Sequence, residues 1–130
     1  FNLWATELGQ LTPVQLMTMQ QQEKPLVIDV RTVKEWQQTG IIPNSYPLQS
    51  FDENGHFDED KWIDELKKSQ ENSDQPIVLV CRSGNRSGKI GKLLTEKLGM
   101  ENIYHLSNGI KQWMTSGHKT VENCSPNQTC

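Results

Sequence analysis

Residues 76–87 read PIVLVCRSGNRS, an apolar run that turns abruptly into a short polar loop. The apolar part, residues 76–81, does not alternate between polar and apolar side chains, which is typical of a parallel strand covered on both faces. A second run of this kind, Leu-Val-Ile-Asp-Val, occupies residues 26–30. Two such runs predict a sheet whose central strands are buried on both sides.

Helical patterns surround these two runs. Thr12 and Pro13 predict a helix N-terminus, and the glutamines at residues 20–22 end that helix. Residues 58–69 begin with acidic and end with basic side chains, an order that the helix dipole favours. The helix after the polar loop has apolar side chains at helical spacing and ends at a glycine: Ile90, Leu93, Leu94, Leu98 and Gly99.

The last elements are a strand over residues 102–106 and a short helix over residues 108–114. Strands that alternate with helices predict an α/β fold with a mainly parallel central sheet, flanked by helices on both faces. We expect one domain over residues 1–121 and a polar C-terminal tail over residues 122–130.

Composition limits the functions that are open to this chain. Its 130 residues fit one domain, with 34 % hydrophobic and 22 % charged side chains. The formal net charge of -3 provides no basic field for nucleic acid. No apolar run approaches the ~20 residues of a membrane-spanning helix. Because the chain begins with Phe1, we expect that a leader or a neighbouring domain was removed, and the compartment, cytoplasmic or periplasmic, stays open.

Cys81 stands where the predicted strand ends and the polar loop begins. Ligands of parallel α/β sheets bind at the carboxyl ends of the strands. The loop leads into a helix, whose first N–H groups can converge on a negatively charged atom. Together with Arg82 and Arg86, these groups favour a thiolate nucleophile that needs no separate base. The two arginines also suit an anionic substrate.

The competing interpretation is structural. A lone cysteine at a strand end is often a small buried residue, with Ser87 only capping the next helix. The two arginines argue against this, because a structural loop has no use for clustered positive charge. We therefore take Cys81 as the candidate nucleophile. The candidate substrate-binding residues are those of the loop: Arg82, Ser83, Gly84, Asn85, Arg86 and Ser87.

The loop CRSGNRS, residues 81–87, resembles the active-site loop of the rhodanese family of sulfurtransferases. Three other segments stand in the family's order and resemble its IDVR, E-aromatic…GHIPGA and GG…W motifs: VIDVR at 27–31, EWQQTGIIP at 35–43 and NGIKQW at 108–113. The resemblance covers about residues 10–119. Four motifs in the right order make it specific.

This chain departs from the family pattern at three places. Ile41 stands where the family usually has His, Asn44 and Ser45 replace a Gly-Ala pair, and Asn108 stands where the first late Gly is common. None of these residues lies in the Cys81 loop. We therefore expect them to affect packing more than chemistry.

The resemblance implies a single rhodanese-like domain that transfers a sulfane sulfur. The Cys81 thiolate would attack the outer sulfur of thiosulfate or a related donor, expel sulfite and become a persulfide. A thiophilic acceptor such as cyanide, a thiol or a protein thiol would then take the sulfur. Amides of residues 82–87 would cradle the persulfide, while Arg82 and Arg86 bind the thiosulfate dianion. The resemblance implies no metal and no organic cofactor.

Two other functions stay open. One is a sulfur-carrier or partner-binding rhodanese module without strong thiosulfate turnover. The other is a cysteine phosphatase or arsenate reductase of the same fold. Phosphatases with this loop design place an arginine six positions after the nucleophile, where this chain has Ser87, and Arg86 comes one residue early. The loop length therefore disfavours phosphate chemistry.

Other polar residues are interpreted as structural. Asp29 and Arg31 lie two apart at a strand end, and we expect a buried ion pair or hydrogen-bond anchor there rather than a site carboxylate. The histidines share no metal-ligand spacing with one another or with the cysteines, and we treat them as ordinary residues: His56, His105 and His118. Cys124 and Cys130 either form a disulfide, if the protein is exported, or remain free thiols.

Overall fold

Residues 7–123, the part that this computed structural model describes, fold around a parallel sheet of five strands. The strands are β1 (Gly9–Leu11), β2 (Leu26–Asp29), β3 (Ser45–Pro47), β4 (Ile77–Val80) and β5 (Ile103–Leu106). Their spatial order is β1-β5-β4-β2-β3, and every neighbouring pair is parallel. The expected α/β class is confirmed, and the apolar run before Cys81 forms the middle strand.

Helices cover both faces of the sheet. They are α1 (Pro13–Gln22), α2 (Val33–Thr39), α3 (Glu59–Ser69), α4 (Asn85–Lys92) and α5 (Gly109–Thr115), and a π-helical turn at Leu93–Lys97 continues α4. No helix among residues 7–123 has the length and apolarity needed to cross a lipid bilayer.

Two apolar cores lie on opposite faces of the sheet. The first joins α1 and α5 to the sheet and contains Leu11, Leu16, Met19, Val27, Ile42, Val78, Val80, Leu106, Ile110 and Trp113. The second joins α3 and α4 to the other face and contains Ile28, Val30, Trp62, Leu66, Ile77, Leu79, Cys81, Ile90, Leu94 and Ile103. Alternate residues of β4 enter alternate cores, which explains why its sequence is apolar throughout.

Side-chain caps explain where two of the predicted helices begin. The Thr12 hydroxyl accepts a hydrogen bond from the Gln15 N–H at 3.2 Å, and the Gln15 side chain accepts one from the Thr12 N–H at 2.9 Å. Asp58 accepts from the Lys61 N–H at 3.2 Å and starts α3. Both helices expected from the sequence are therefore confirmed with their N-termini in place.

Three short elements were not predicted. β1 and β3 have three residues each, and the seven-residue α2 has Trp36 as its buried side chain. Such short segments carry too little periodicity to be recognised. The helix after Cys81 also differs from its pattern, because the π-helical turn shifts the phase of the side chains and leaves Leu98 42 % exposed.

Asp29 and Arg31 form the buried ion pair that their spacing indicated. The Arg31 guanidinium donates to both carboxylate oxygens of Asp29, at 2.8 to 3.2 Å. It also donates to the Thr39 hydroxyl and the Gly40 carbonyl, each at 2.9 Å. Both side chains are only 1 % exposed. The pair ties the end of β2 to the end of α2.

The last described residues pair with the segment that follows α2. Ile41 and Val121 exchange two backbone hydrogen bonds, each 2.8 Å long. The division of the chain at residue 121 stays a prediction. Cys124 and Cys130 lie outside the described residues.

We expect Arg31→Met to lower the free energy of unfolding by about 3–5 kcal/mol, because it leaves the Asp29 carboxylate buried without its counter-ion. Urea denaturation at neutral pH measures this. Lys68→Met is the control, since it removes an exposed partner of Asp64 and should change stability little. Equal effects of the two variants would contradict the structural role of the buried pair.

Candidate active site

Cys81 lies at the carboxyl end of the middle strand. It follows Val80, the last residue of β4, and α4 begins four residues later at Asn85. Its side chain is 1 % exposed. The position is therefore the one at which parallel sheets bind ligands, and the loop around it is short.

The loop directs polar hydrogens at the Cys81 sulfur. The Sγ atom accepts from the N–H of Gly84 at 3.1 Å and from the N–H of Ser87 at 3.4 Å. The Ser87 hydroxyl oxygen lies 3.3 Å from the same sulfur. N–H groups of the loop and the first turn of a helix favour negative charge at the atom they face. This arrangement suits a sulfur anion.

Close backbone packing holds the loop in this shape. Gly84 has φ +100°, and a Cβ at this position would overlap the Ser107 carbonyl oxygen. Gly109 has φ +69°, and a Cβ there would overlap the Arg82 carbonyl oxygen. The N–H of Ile110 donates to the Cys81 carbonyl at 2.9 Å. The β5–α5 connection and the Cys81 loop therefore support each other, which requires glycine at both positions.

The structure pairs Arg86 with Glu35, a contact that the sequence did not indicate. Two guanidinium nitrogens of Arg86 donate to the two carboxylate oxygens of Glu35, at 2.7 and 2.8 Å. The hydrogen bond from Arg86 lowers the pKa of Glu35 to about 2, against the opposing effect of burial. The bond to Glu35 raises the pKa of Arg86, and the Cys81 sulfur adds to this shift. The Arg86 charge is thus already partnered.

Arg82 stands at the rim of an adjoining cleft. The cleft has a volume of about 320 Å³, and its walls include Arg82, Lys111 and Glu35. The Arg82 and Lys111 side chains are exposed. Ser83 and Asn85 are also exposed. Of the predicted loop residues, Gly84 and Ser87 are the ones that hydrogen-bond to the sulfur.

His105, which the sequence indicated to be an ordinary residue, is connected to the Cys81 sulfur through the Ser87 hydroxyl. The His105 Nδ1 atom is 2.8 Å from the Ser87 hydroxyl, and its Nε2 atom is 2.9 Å from the Gln10 Oε1 atom. His105 is 5 % exposed, and burial lowers its pKa. The available signal was the alternation along β5, which puts His105 on the same face as Ile103, the face that α4 covers.

Residues 12–116 match the model of the rhodanese-like domain. The chain belongs to this family. A curated relative is the rhodanese domain-containing protein CG4456 of Drosophila melanogaster, 33 % identical over 89 residues, which are 67 % of this chain and 79 % of the relative. The family expected from the four sequence motifs is confirmed.

Solved structures share this rhodanese-like fold. The polysulfide-sulfur transferase homodimer of Wolinella succinogenes superimposes with a TM-score of 0.66 at 22 % identity, covering 97 % of this chain and 86 % of that one. The thiosulfate sulfurtransferase of Pseudomonas aeruginosa superimposes with a TM-score of 0.69 at 15 % identity, covering 88 % of this chain and 20 % of that one. At these identities the likeness concerns the fold.

The Glu35–Arg86 ion pair predicts how the stability of this rhodanese domain changes in acid. The folded-state pKa of Glu35 is about 2, below its ordinary 4.5, so the pair stabilises the fold above about pH 4.5 and loses its effect as the pH falls toward 2. We expect Glu35→Gln to lower the melting temperature at pH 6, with a difference from wild type that narrows below pH 4.5. A difference that stays constant down to pH 2 would contradict the pairing.

Proposed function

We propose that the protein is a sulfurtransferase in which Cys81 carries the transferred sulfur. The donor is thiosulfate or a related sulfane compound, and the acceptor is cyanide, a small thiol or a protein thiol. The observation that carries this proposal is the convergence of the Gly84 and Ser87 N–H groups on a buried cysteine sulfur. Two neighbours of the same fold that are named for thiosulfate and polysulfide sulfur transfer support this donor class.

The first half of the reaction loads the enzyme. The Cys81 thiolate attacks the outer sulfur of thiosulfate and forms a new S–S bond, while the S–S bond of thiosulfate breaks and its electron pair leaves with sulfite. The persulfide keeps one negative charge, and the N–H groups of Gly84 and Ser87, which already meet the Cys81 sulfur, are placed to stabilise that charge. No proton is consumed, because a thiolate becomes a persulfide anion.

The second half unloads it. Cyanide or an acceptor thiolate attacks the outer sulfur of the persulfide, and the S–S bond breaks to return the Cys81 thiolate. The product is thiocyanate or an acceptor persulfide. Neither half requires a metal or an organic cofactor.

Charged side chains at the rim are suited to hold the anionic donor. Arg82 and Lys111 line the cleft and are exposed, so they can meet the sulfonate end of thiosulfate. Arg86 lies close enough for the Cys81 sulfur to influence its pKa, but two of its guanidinium nitrogens are hydrogen-bonded to Glu35. We therefore assign initial donor contact to Arg82, and assign to Arg86 the stabilisation of charge at the sulfur.

We expect thiosulfate to add one sulfur atom to the wild-type protein, removable by cyanide or dithiothreitol, and to add none to Cys81→Ser. Intact mass spectrometry checks this. Cys124→Ser is the matched control and should gain the sulfur as the wild type does. Loading of Cys81→Ser would refute the assignment. Loading of the wild type without turnover to cyanide would instead indicate a sulfur carrier.

A rim arginine should matter more than a distant cation of equal charge. We expect Arg82→Leu to lower kcat/KM for thiosulfate at least ~10-fold, about 1.4 kcal/mol of lost anion stabilisation, mainly through KM. Lys89→Leu, which removes an exposed charge from α4, should have little effect.

Arg86→Leu should lower kcat/KM for thiosulfate at least ~10-fold. The double variant Arg86→Leu/Glu35→Gln should lose less, because it no longer leaves an unpaired Glu35 that repels the donor.

Phosphatase assays of the wild type and Cys81→Ser separate sulfur transfer from phosphate chemistry. Wild-type protein should hydrolyse no p-nitrophenyl phosphate in a manner that depends on Cys81. Robust phosphatase activity that Cys81→Ser abolishes would overturn the proposed function. Equal kcat/KM values for Arg82→Leu and Lys89→Leu would remove Arg82 from donor binding.

A further inference from the structure

A continuous series of side-chain hydrogen bonds leads from the Cys81 sulfur to Gln10 on β1, the strand at the edge of the sheet. The sulfur lies 3.3 Å from the Ser87 hydroxyl, which lies 2.8 Å from Nδ1 of His105. The Nε2 atom of His105 then lies 2.9 Å from Oε1 of Gln10. The parallel register pairs Gln10 of β1 with His105 of β5, so the sheet itself holds the two ends together. None of these contacts is needed to explain the N–H cradle around the sulfur.

The donors and acceptors in this series of hydrogen bonds fix the positions of its protons. Oε1 of Gln10 can only accept, so Nε2 of His105 carries a proton. In the neutral imidazole, Nδ1 is then an acceptor and takes its hydrogen bond from the Ser87 hydroxyl. The Ser87 oxygen is left to accept from the Cys81 thiol. Every group is satisfied, but only while Cys81 retains its proton.

Ionisation of Cys81 removes one hydrogen-bond donor from this series. A thiolate can only accept, and the single hydroxyl proton of Ser87 cannot serve both the sulfur and Nδ1. A second proton, on Nδ1, restores every hydrogen bond: Nδ1–H donates to the Ser87 oxygen, and the hydroxyl donates to the sulfur. The arrangement therefore couples a thiolate at Cys81 to a positively charged imidazolium at His105.

We propose that His105 is a positioning residue that takes up the proton of Cys81 through the Ser87 hydroxyl and holds it during sulfur transfer. The thiol proton moves to the Ser87 oxygen as the hydroxyl proton moves to Nδ1, so no net charge enters or leaves the site. This inference rests on the proposed role of Cys81 as nucleophile. Because the sulfur carries one negative charge both as thiolate and as persulfide, the proton stays on His105 throughout turnover.

The groups around His105 decide when it can hold a proton. Burial lowers the pKa of His105, which keeps the imidazole neutral while Cys81 is a thiol and opposes a lone imidazolium. A proton on His105 is therefore stabilised only together with the negative charge on the sulfur, to which Ser87 connects it. The facing groups are Gln10 from β1 and Ser87 from α4, both neutral, and Cys81 at the end of β4, reached through Ser87. Of the other charged groups on α4, Arg86 is turned to Glu35, while Lys89 and Lys92 are exposed.

The α4 helix leaves room for the ring. A Cβ placed on Gly88 would lie 3.5 Å from the Cε1 atom of His105, in ordinary van der Waals contact. Both ring nitrogens are bound, Nδ1 beside the Ser87 hydroxyl and Nε2 beside the Gln10 side chain. Such a ring has little freedom to turn away from Ser87, as a positioning role requires.

The first test is the pH dependence of Cys81 alkylation by iodoacetamide, followed on the full chain by mass spectrometry of the Cys81 peptide. Wild-type Cys81 should react at pH values well below the ~8.5 of a free thiol. His105→Asn keeps an acceptor near the Nδ1 position but cannot hold a proton, and it should move the midpoint of the reaction upward by at least ~1 pH unit, a tenfold change in the thiolate-to-thiol ratio. His118→Asn, which alters a half-buried histidine packed on Trp113, should leave the midpoint unchanged.

The second test observes His105 itself and does not depend on the folding of a His105 variant. Imidazole ¹⁵N resonances should show His105 titrating at higher pH in wild type than in Cys81→Ser, because coupling between two sites is reciprocal. In Ser87→Ala the coupling should be lost. Equal titration of His105 in wild type and Cys81→Ser, or an unchanged alkylation midpoint in a folded His105→Asn, would overturn the inference. Neither measurement uses a sulfur donor, so the sulfur-loading experiment decides the proposed function separately.

Discussion

The Cys81 site depends on one close approach between two backbone segments. The loop after β4 and the connection between β5 and α5 touch at Gly84 and Gly109, where no side chain has room. Hydrogen bonds from α5 to the Cys81 and Arg82 carbonyls hold the contact together. Because the loop cannot open outward, the Gly84 and Ser87 N–H groups face inward on the sulfur. The site is thus built before any substrate arrives, which is how pre-organised polar hydrogens stabilise charge most effectively.

Two of the arginines near the site have their charge balanced by a carboxylate. The Asp29–Arg31 pair is buried and serves the scaffold, and the Glu35–Arg86 pair is half-buried beside the loop. Each pair matches an arginine with a carboxylate, so neither adds a free cation. Backbone N–H groups therefore meet the sulfur directly, while Arg86 acts on it from within its pair with Glu35. The exposed cations at the rim are Arg82 and Lys111. Pairing avoids the cost of two buried arginines without counter-ions.

Some features were readable from the chain because they depend on neighbouring residues. The unbroken apolar runs at residues 26–30 and 76–81 indicated buried parallel strands, and Thr12 and Asp58 indicated where helices begin. The short β1 and β3 were not readable, since three residues do not establish a period. The exposure of Leu98 was not readable either, because a π-helical turn changes the phase without a clear local signal.

By itself, the sequence determined the α/β alternation, the family motifs and the position of Cys81 between a strand and a helix, because each depends on residues close together in the chain. Only the tertiary structure decided which partners meet around that cysteine. Glu35 reaches Arg86 from 51 residues away, and Gln10 reaches His105 from 95 residues away. Contacts of such separation depend on the parallel order of the strands and on their register, and a local pattern contains neither.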